Sequence, residues 1–248
     1  MEFTERVLVL QLGKFREADL WVRVLSPSRG LFTAFAFGGS RSRRRFVGCL
    51  DLFNEILVRV SASRRGNYLA LEEGTLLRGV ERLRHDWPRF GLAVNCVRFL
   101  QSLGLGPDGA DKGHELLVRT LRFLEEAESV PRLFPFFFRA RLVFDQGYSL
   151  EADRCAACAA AIKEAPAQLL VHEGHLLCRA CADKGSGRRL PLGAEALLAL
   201  ESVRREEPEQ WADLPLSPSG AREFARAVDG FVQYHVGIAW NEGRFVRL

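Results

Sequence analysis

Four cysteines carry the clearest chemistry in this sequence. Cys155 and Cys158 form one C-x2-C pair, Cys178 and Cys181 a second, with 19 residues between the pairs. Two residues between cysteines allow a tight turn to aim both thiolates at one ion, and two such knuckles complete a tetrahedral, closed zinc site. Four sulfur ligands leave no position for water or substrate, so the expected role is a structural staple. A single redox C-x-x-C motif and a pair of disulfides are the weaker alternatives. The intervening stretch 159–177 has a β-like run at 168–172 and a Glu173-Gly174 turn, but too few large apolar residues to fold without a metal. His172 and His175 read as surface histidines, and Cys49 and Cys96 as small buried hydrophobes.

Phosphate chemistry is the second signal. Residues 1–80 hold 13 Lys/Arg and 8 Asp/Glu, whereas the remainder holds 22 and 23, so all of the net +4 charge belongs to the first third. Arg41, Arg43, Arg44 and Arg45 crowd into five residues, which predicts a mobile phosphate-binding loop, because Arg forks onto phosphate oxygens. Lys14, Arg16, Arg23, Arg64 and Arg65 are secondary phosphate candidates, with Trp21 and Phe15 as base-stacking candidates. No phosphate loop, dinucleotide fingerprint, H-E-x-x-H or G-x-S-x-G motif is present, so a binding protein is expected and an enzyme is not.

The elements that must position these groups follow from periodicity. Residues 6–12, 19–25, 30–37, 50–60 and 68–77 read as five short strands separated by turn signals, which suits a small closed barrel. Beyond residue 80 the period becomes helical, over 88–103, 114–127, 132–147, 193–205 and 219–237. The phenylalanine-rich segment 132–147 is apolar around most of its circumference and should form the centre of a helical bundle. The expected fold is therefore α+β and multidomain. A nucleic-acid-binding barrel occupies 1–80, a helical domain 81–150 and 189–248, and an inserted four-cysteine module 151–188. Linker candidates are 78–87, 148–154 and 184–192. No apolar run approaches membrane-spanning length and the first residues carry acids where a secretory signal needs bases, so the expected location is cytoplasmic, with no membrane partner.

Several stretches resemble the bacterial RecO family of recombination mediators. They are Val7–Leu10, Glu17–Leu20, Ser26–Gly30, Phe37–Arg41 with its basic run, Leu50–Phe53, and Phe144–Leu150 leading into the first knuckle. The resemblance spans essentially the whole chain. Where the family carries Lys-Gly-Ala-Arg-like residues this chain has Phe37-Gly38-Gly39-Ser40-Arg41, so one cation is missing and Arg43–Arg45 are placed to compensate. Some family members lack the cysteines; this one keeps all four.

The resemblance implies an OB-fold barrel, a helical domain and an inserted module holding one structural Zn2+. It also implies binding of single- and double-stranded DNA, strand annealing, and cooperation with RecR and the single-strand binding protein SSB to help load RecA. The acidic, apolar-ended SSB tail would need an apolar pocket rimmed by cations. Arg119, Arg122, Arg132, Arg139 and Arg141, beside the phenylalanine cluster, are the residues expected there. An RNA-binding barrel protein and a zinc-dependent enzyme are the competing readings.

Overall fold

The computed structural model describes residues 2–162, 166–183 and 186–248. Two compact units form: residues 1–91 with 104–126, and residues 92–103 with 127–248. The sequence period changes near residue 80, whereas packing keeps a later helix with the barrel.

The first unit is built on a closed five-stranded barrel of order β1-β2-β3-β5-β4. Strand β1 (Glu2–Lys14) serves both neighbours: its first half pairs with β4 (Glu55–Ala62) and its second half with β2 (Leu20–Ser26). A register shift between Val9 and Gln11 adds one residue, and such a bulge lets one long strand curl round the barrel. Strand β3 (Gly30–Ala36) runs antiparallel to β2 and parallel to β5 (Leu69–Arg78), which returns to β4.

Alternation sets the two faces. Leu20, Val22, Val24, Ala34, Ala36, Ile56, Val58 and Val60 fill the interior. Truncating Ile56 to Ala would cost about 2–5 kcal/mol, the range for a fully buried aliphatic side chain.

The strand expected at 50–60 begins at Glu55. The preceding residues turn instead, because Phe46 and Cys49 enter the barrel core and Phe53 takes a left-handed φ of 66°. Helix α1 (Arg82–His85) and helix α3 (Ala110–Glu126) complete the unit. The buried side of α3, including Leu116, Leu117, Leu121 and Leu124, belongs to the helix that packs on β2 and β3.

In the second unit, residues 92–103 of α2 (Trp87–Leu103) join α4 (Phe134–Asp145), α5 (Ala194–Arg205) and α6 (Pro218–His235). Ser217 caps α6 by accepting from the Gly220 N–H, and Pro218 follows at the first helical position. Helix α4 packs against α5, α6 and a 3-10 turn at Pro208–Asp213, as expected of a bundle centre. Fully buried Trp211 from that turn lies against Phe134 and Phe137.

A four-stranded sheet of order β6-β8-β7-β9 carries the cysteines: β6 (Glu151–Cys155), β7 (Ala167–Leu170), β8 (His175–Leu177) and β9 (Arg189–Leu192). The linker candidate 184–192 thus ends in a strand, while its residues 184 and 185 lie outside the described residues. Periodicity also misses a C-terminal hairpin, β10 (Ile238–Asn241) with β11 (Arg244–Arg247). Helix α6 stops short of Gly237, whose φ of +68° is a left-handed conformation that helical residues do not adopt.

Candidate nucleic-acid interface and metal centre

The outer face of the barrel collects aromatic rings. Trp21 pairs in register with Phe35 on one side and Gly13 on the other, so both aromatics point away from the core. The indole lies on the bare backbone of Gly13, where a Cβ would collide with it. Phe35 is 5.0 Å from Phe15, 6.0 Å from Tyr68 and 6.3 Å from Phe37, centroid to centroid, and Phe37 is 5.7 Å from Tyr68. Phe15 is 51% exposed and Tyr68 43%. Phe35, Phe37 and Tyr68 were not singled out by the sequence. The available signal was parity in β3, where small Ala34 and Ala36 take the interior and leave Phe35 outside.

Cations flank these rings. The Arg16 guanidinium sits 5.4 Å from the Phe15 ring centroid, and exposed Lys14 ends β1. Exposed Arg64 and Arg65 occupy the turn that leads to Tyr68. Arg23 is half-buried on the outer face opposite Thr33, with its Nε buried and without a partner.

The loop after β3 differs from the mobile one expected. Gly38 N–H donates to Asp19 Oδ1 at 2.7 Å, Ser40 Oγ donates to the Ala18 carbonyl at 3.0 Å, and Arg41 pairs with Glu17. Arg45 donates to the Phe37 and Glu72 carbonyls and lies over Phe46, so it braces the loop. Arg43 and Arg44 are exposed and make no ion pair among the described residues.

The four cysteine Sγ atoms lie within 4.8 Å of one another, with Cys158 and Cys178 at 3.9 Å. A tetrahedral ion with sulfur at about 2.3 Å spaces its ligands by about 3.8 Å, so this donor set could hold one metal ion. Strand β6 delivers Cys155, β8 runs into Cys178, and a 3-10 turn at Arg179–Cys181 brings Cys181 round. Cys155 and Cys181 belong to a small core with Leu170 and Leu177, so the ligands themselves supply much of the module's interior.

Burial opposes ionisation of Cys155, but backbone donors at Cys178, Ala157 and Cys158 bring its thiol down to about 6. Cys181 is pushed up to about 12 by burial and by sharing hydrogen bonds with the other thiols. His172 and His175 are half-buried and stand outside the ligand cluster. Cys49 and Cys96 are buried, and burial raises both thiols.

The arginines expected around an SSB-tail pocket divide between the two units: Arg119 and Arg122 are on α3, Arg132 precedes α4, and Arg139 and Arg141 lie on α4. Two of them are corrected by the structure. Arg139 is only 4% exposed; it donates to Asp229 Oδ1 at 2.6 Å and to the Pro135 carbonyl, and its guanidinium lies 3.9 Å from the Phe136 ring centroid. Burial lowers its affinity for the proton and Asp229 opposes that shift. Arg139 stitches α4 to α6 and is not a rim cation. Arg141 is held by the Asp145 carboxylate at 3.0 Å and by the Glu206 carbonyl at 2.7 Å. Phe134, Phe137 and Phe138 are core residues and do not line an open pocket.

These features define the class: an OB-type barrel protein with a helical unit and a four-cysteine module that could hold a metal ion. The chain belongs to the recombination protein O family, whose N-terminal family model matches residues 1–80 and whose C-terminal model matches residues 84–243. It is 52% identical over 249 residues to the DNA repair protein RecO of Oleidesulfovibrio alaskensis, covering all of both chains. It is 50% identical over 252 residues to that of Nitratidesulfovibrio vulgaris, again over all of both chains. The counterpart in Solidesulfovibrio magneticus is 42% identical over 248 residues, with full coverage. No helix among the described residues is long and apolar enough to cross a membrane.

Proposed function

We propose that this chain is a non-enzymatic DNA-annealing mediator acting from the cytoplasm. Residues 1–80 bind nucleic acid, and residues 151–188 form a module folded around one structural Zn2+. The observation that carries this reading is the outward four-ring cluster of Phe15, Phe35, Phe37 and Tyr68, with Arg16, Arg64 and Arg65 close by in sequence. Rings on an outer face, Phe15 and Tyr68 exposed and Phe35 and Phe37 half-buried, can stack on unpaired bases while arginines neutralise phosphates, and no bond is made or broken. Base stacking favours single strands, and phosphate contacts serve duplex DNA as well.

Lys14, Arg16, Arg23, Arg43, Arg44, Arg64 and Arg65 are the proposed phosphate contacts, with Arg41 and Arg45 shaping the loop. RecR, SSB and RecA are the proposed partners, as the family relationship suggests. With Arg139 and Arg141 engaged internally, half-buried Arg119 and exposed Arg122 and Arg132 remain as candidates for the SSB tail.

The test is annealing of complementary DNA coated with SSB. Wild type should accelerate annealing and a Phe35→Ala/Tyr68→Ala variant should not; equal rates would overturn the reading. Matched RNA and DNA oligonucleotides separate this reading from an RNA-binding one, which equal or tighter RNA binding would favour.

A further inference from the structure

The C-terminal hairpin is a surface used by neither the barrel nor the metal module. Its two strands are joined by Glu242 and Gly243, with φ of 46° and 80°, the left-handed conformations of a tight hairpin turn. Ile238 is buried, and Phe245 stands edge-on to Phe99 of α2 at 5.2 Å. Trp240 stands edge-on to Phe245 at 4.7 Å and remains 46% exposed. An indole packed against Phe245, which is itself packed on Phe99, has less rotamer freedom to lose, so it is preorganised for stacking.

Three arginines belong to the same substructure. Arg98 donates from Nη1 to the Gly243 carbonyl at 3.2 Å. Arg247 donates from Nη2 to the Ser102 and Leu103 carbonyls at 3.1 and 2.9 Å. Arg244 is exposed on β11. Carbonyls orient a guanidinium without cancelling its charge. Arg139, Arg141, Arg204 and Arg205 each face a carboxylate, whereas Arg98, Arg244 and Arg247, like Arg222 and Arg226, form no ion pair among the described residues. Glu242 is the one acidic side chain of the hairpin.

We propose that this hairpin is a second single-strand nucleic-acid contact, in which Trp240 stacks on one base and Arg98, Arg244 and Arg247 meet the adjoining phosphates. It goes beyond the barrel reading by giving one chain a separate surface for a second strand. Each nucleotide of a single strand offers both a ring for the indole and a phosphate for the guanidiniums, which is why the occupant is nucleic acid.

The test uses the full chain and oligothymidylate carrying 5-iodouracil. After photocrosslinking, peptides covering 238–247 should carry the oligonucleotide. Trp240→Ala should reduce that crosslink and weaken binding at this contact about tenfold, with Trp240→Tyr restoring most of it. Arg98→Gln with Arg244→Gln should lower the salt slope by roughly 1.4 units. Circular dichroism and bound metal report whether each variant is folded. In a Phe35→Ala/Tyr68→Ala background the hairpin crosslink should persist, so failure of the barrel reading and failure of this one give different results. Absence of the crosslink in wild type, unchanged binding by folded Trp240→Ala, or protection of the hairpin by poly-glutamate but not by the oligonucleotide would each overturn the proposal.

Discussion

Asp19 accepts the Gly38 N–H at 2.7 Å and so ties the start of the arginine loop to the turn between β1 and β2. Gly38 has a φ of +67°, a conformation that only a residue without Cβ adopts freely. Ser40 N–H and Oγ both donate to the Ala18 carbonyl, and Ser42 Oγ accepts the Arg45 N–H, so two loops form one braced block. Arg43 and Arg44 project from that block.

The first prediction follows from this division of labour. Arg43→Ala with Arg44→Ala should lower the slope of log K against log salt for single-stranded DNA by roughly 1.4 units, because two phosphate contacts are lost. Melting temperature should hardly change. Arg45→Ala should instead lower thermal stability, because it removes the donor to the Phe37 and Glu72 carbonyls. Oligonucleotide titrations from low to moderate salt measure the slope, and an unchanged value places the phosphates elsewhere.

Stacking is the second. Tyr68→Ala should weaken single-strand binding by about 1–3 kcal/mol, the cost of losing one stacked base, while Tyr68→Phe should keep most of the affinity. Since Tyr68 is largely outside the core, folding should be nearly unaffected. Fluorescence anisotropy with labelled oligonucleotides reads the difference.

The third concerns the metal. The chain should bind one zinc ion and release protons as it does so, because Cys181 keeps its proton until far above neutrality in the metal-free module. More acid leaves more protons to displace, so affinity should fall with decreasing pH and drop further below about 6, where Cys155 also protonates. Chelator competition between pH 5.5 and 8 tests the sign. Cys178→Ser should abolish stoichiometric zinc and expose the module to protease.

Glu125 supplies the fourth. Its carboxylate accepts three backbone N–H bonds, from Glu81, Arg82 and Leu83, at 3.0, 2.9 and 2.8 Å. Burial works against its charge, yet those donors hold the carboxyl below its ordinary value. A depressed acid stabilises the fold above its unfolded pKa and loses that contribution as pH falls through the folded one. Glu125→Gln should therefore lower denaturation midpoints at pH 7, and the gap to wild type should close at strongly acidic pH. A constant gap would show that the charge is immaterial.

The cysteine site was legible because knuckle spacing is local, and the barrel strands because alternation is local. Arg139 was misread for the opposite reason: the carboxylate that engages it is Asp229, 90 residues away, and nothing near Arg139 announces it. The strand read over 50–60 starts late for a similar reason: the chain before Glu55 turns while Phe46 and Cys49 enter the barrel core, a long-range packing that no local pattern marks. Phe35 and Tyr68 could be seen as aromatic, but their meeting on one face depends on β3 lying beside β5, a parallel pairing no single segment encodes.

The order in which the first unit is assembled has a consequence for synthesis. Strand β5 ends at Arg78, yet α3, which covers β2 and β3, is complete only at Glu126. The Leu31 N–H donates to the Leu105 carbonyl, and a Cβ on Gly30 would strike the carbonyls of Leu105 and Gly106. A nascent chain emerging from the ribosome therefore passes through a stage in which all five strands exist but the sheet has no lid. During that interval its apolar flank is open to chaperones or to another nascent copy. A recombinant fragment cut near residue 80 would freeze the protein at this stage, and one ending after residue 126 would carry it past.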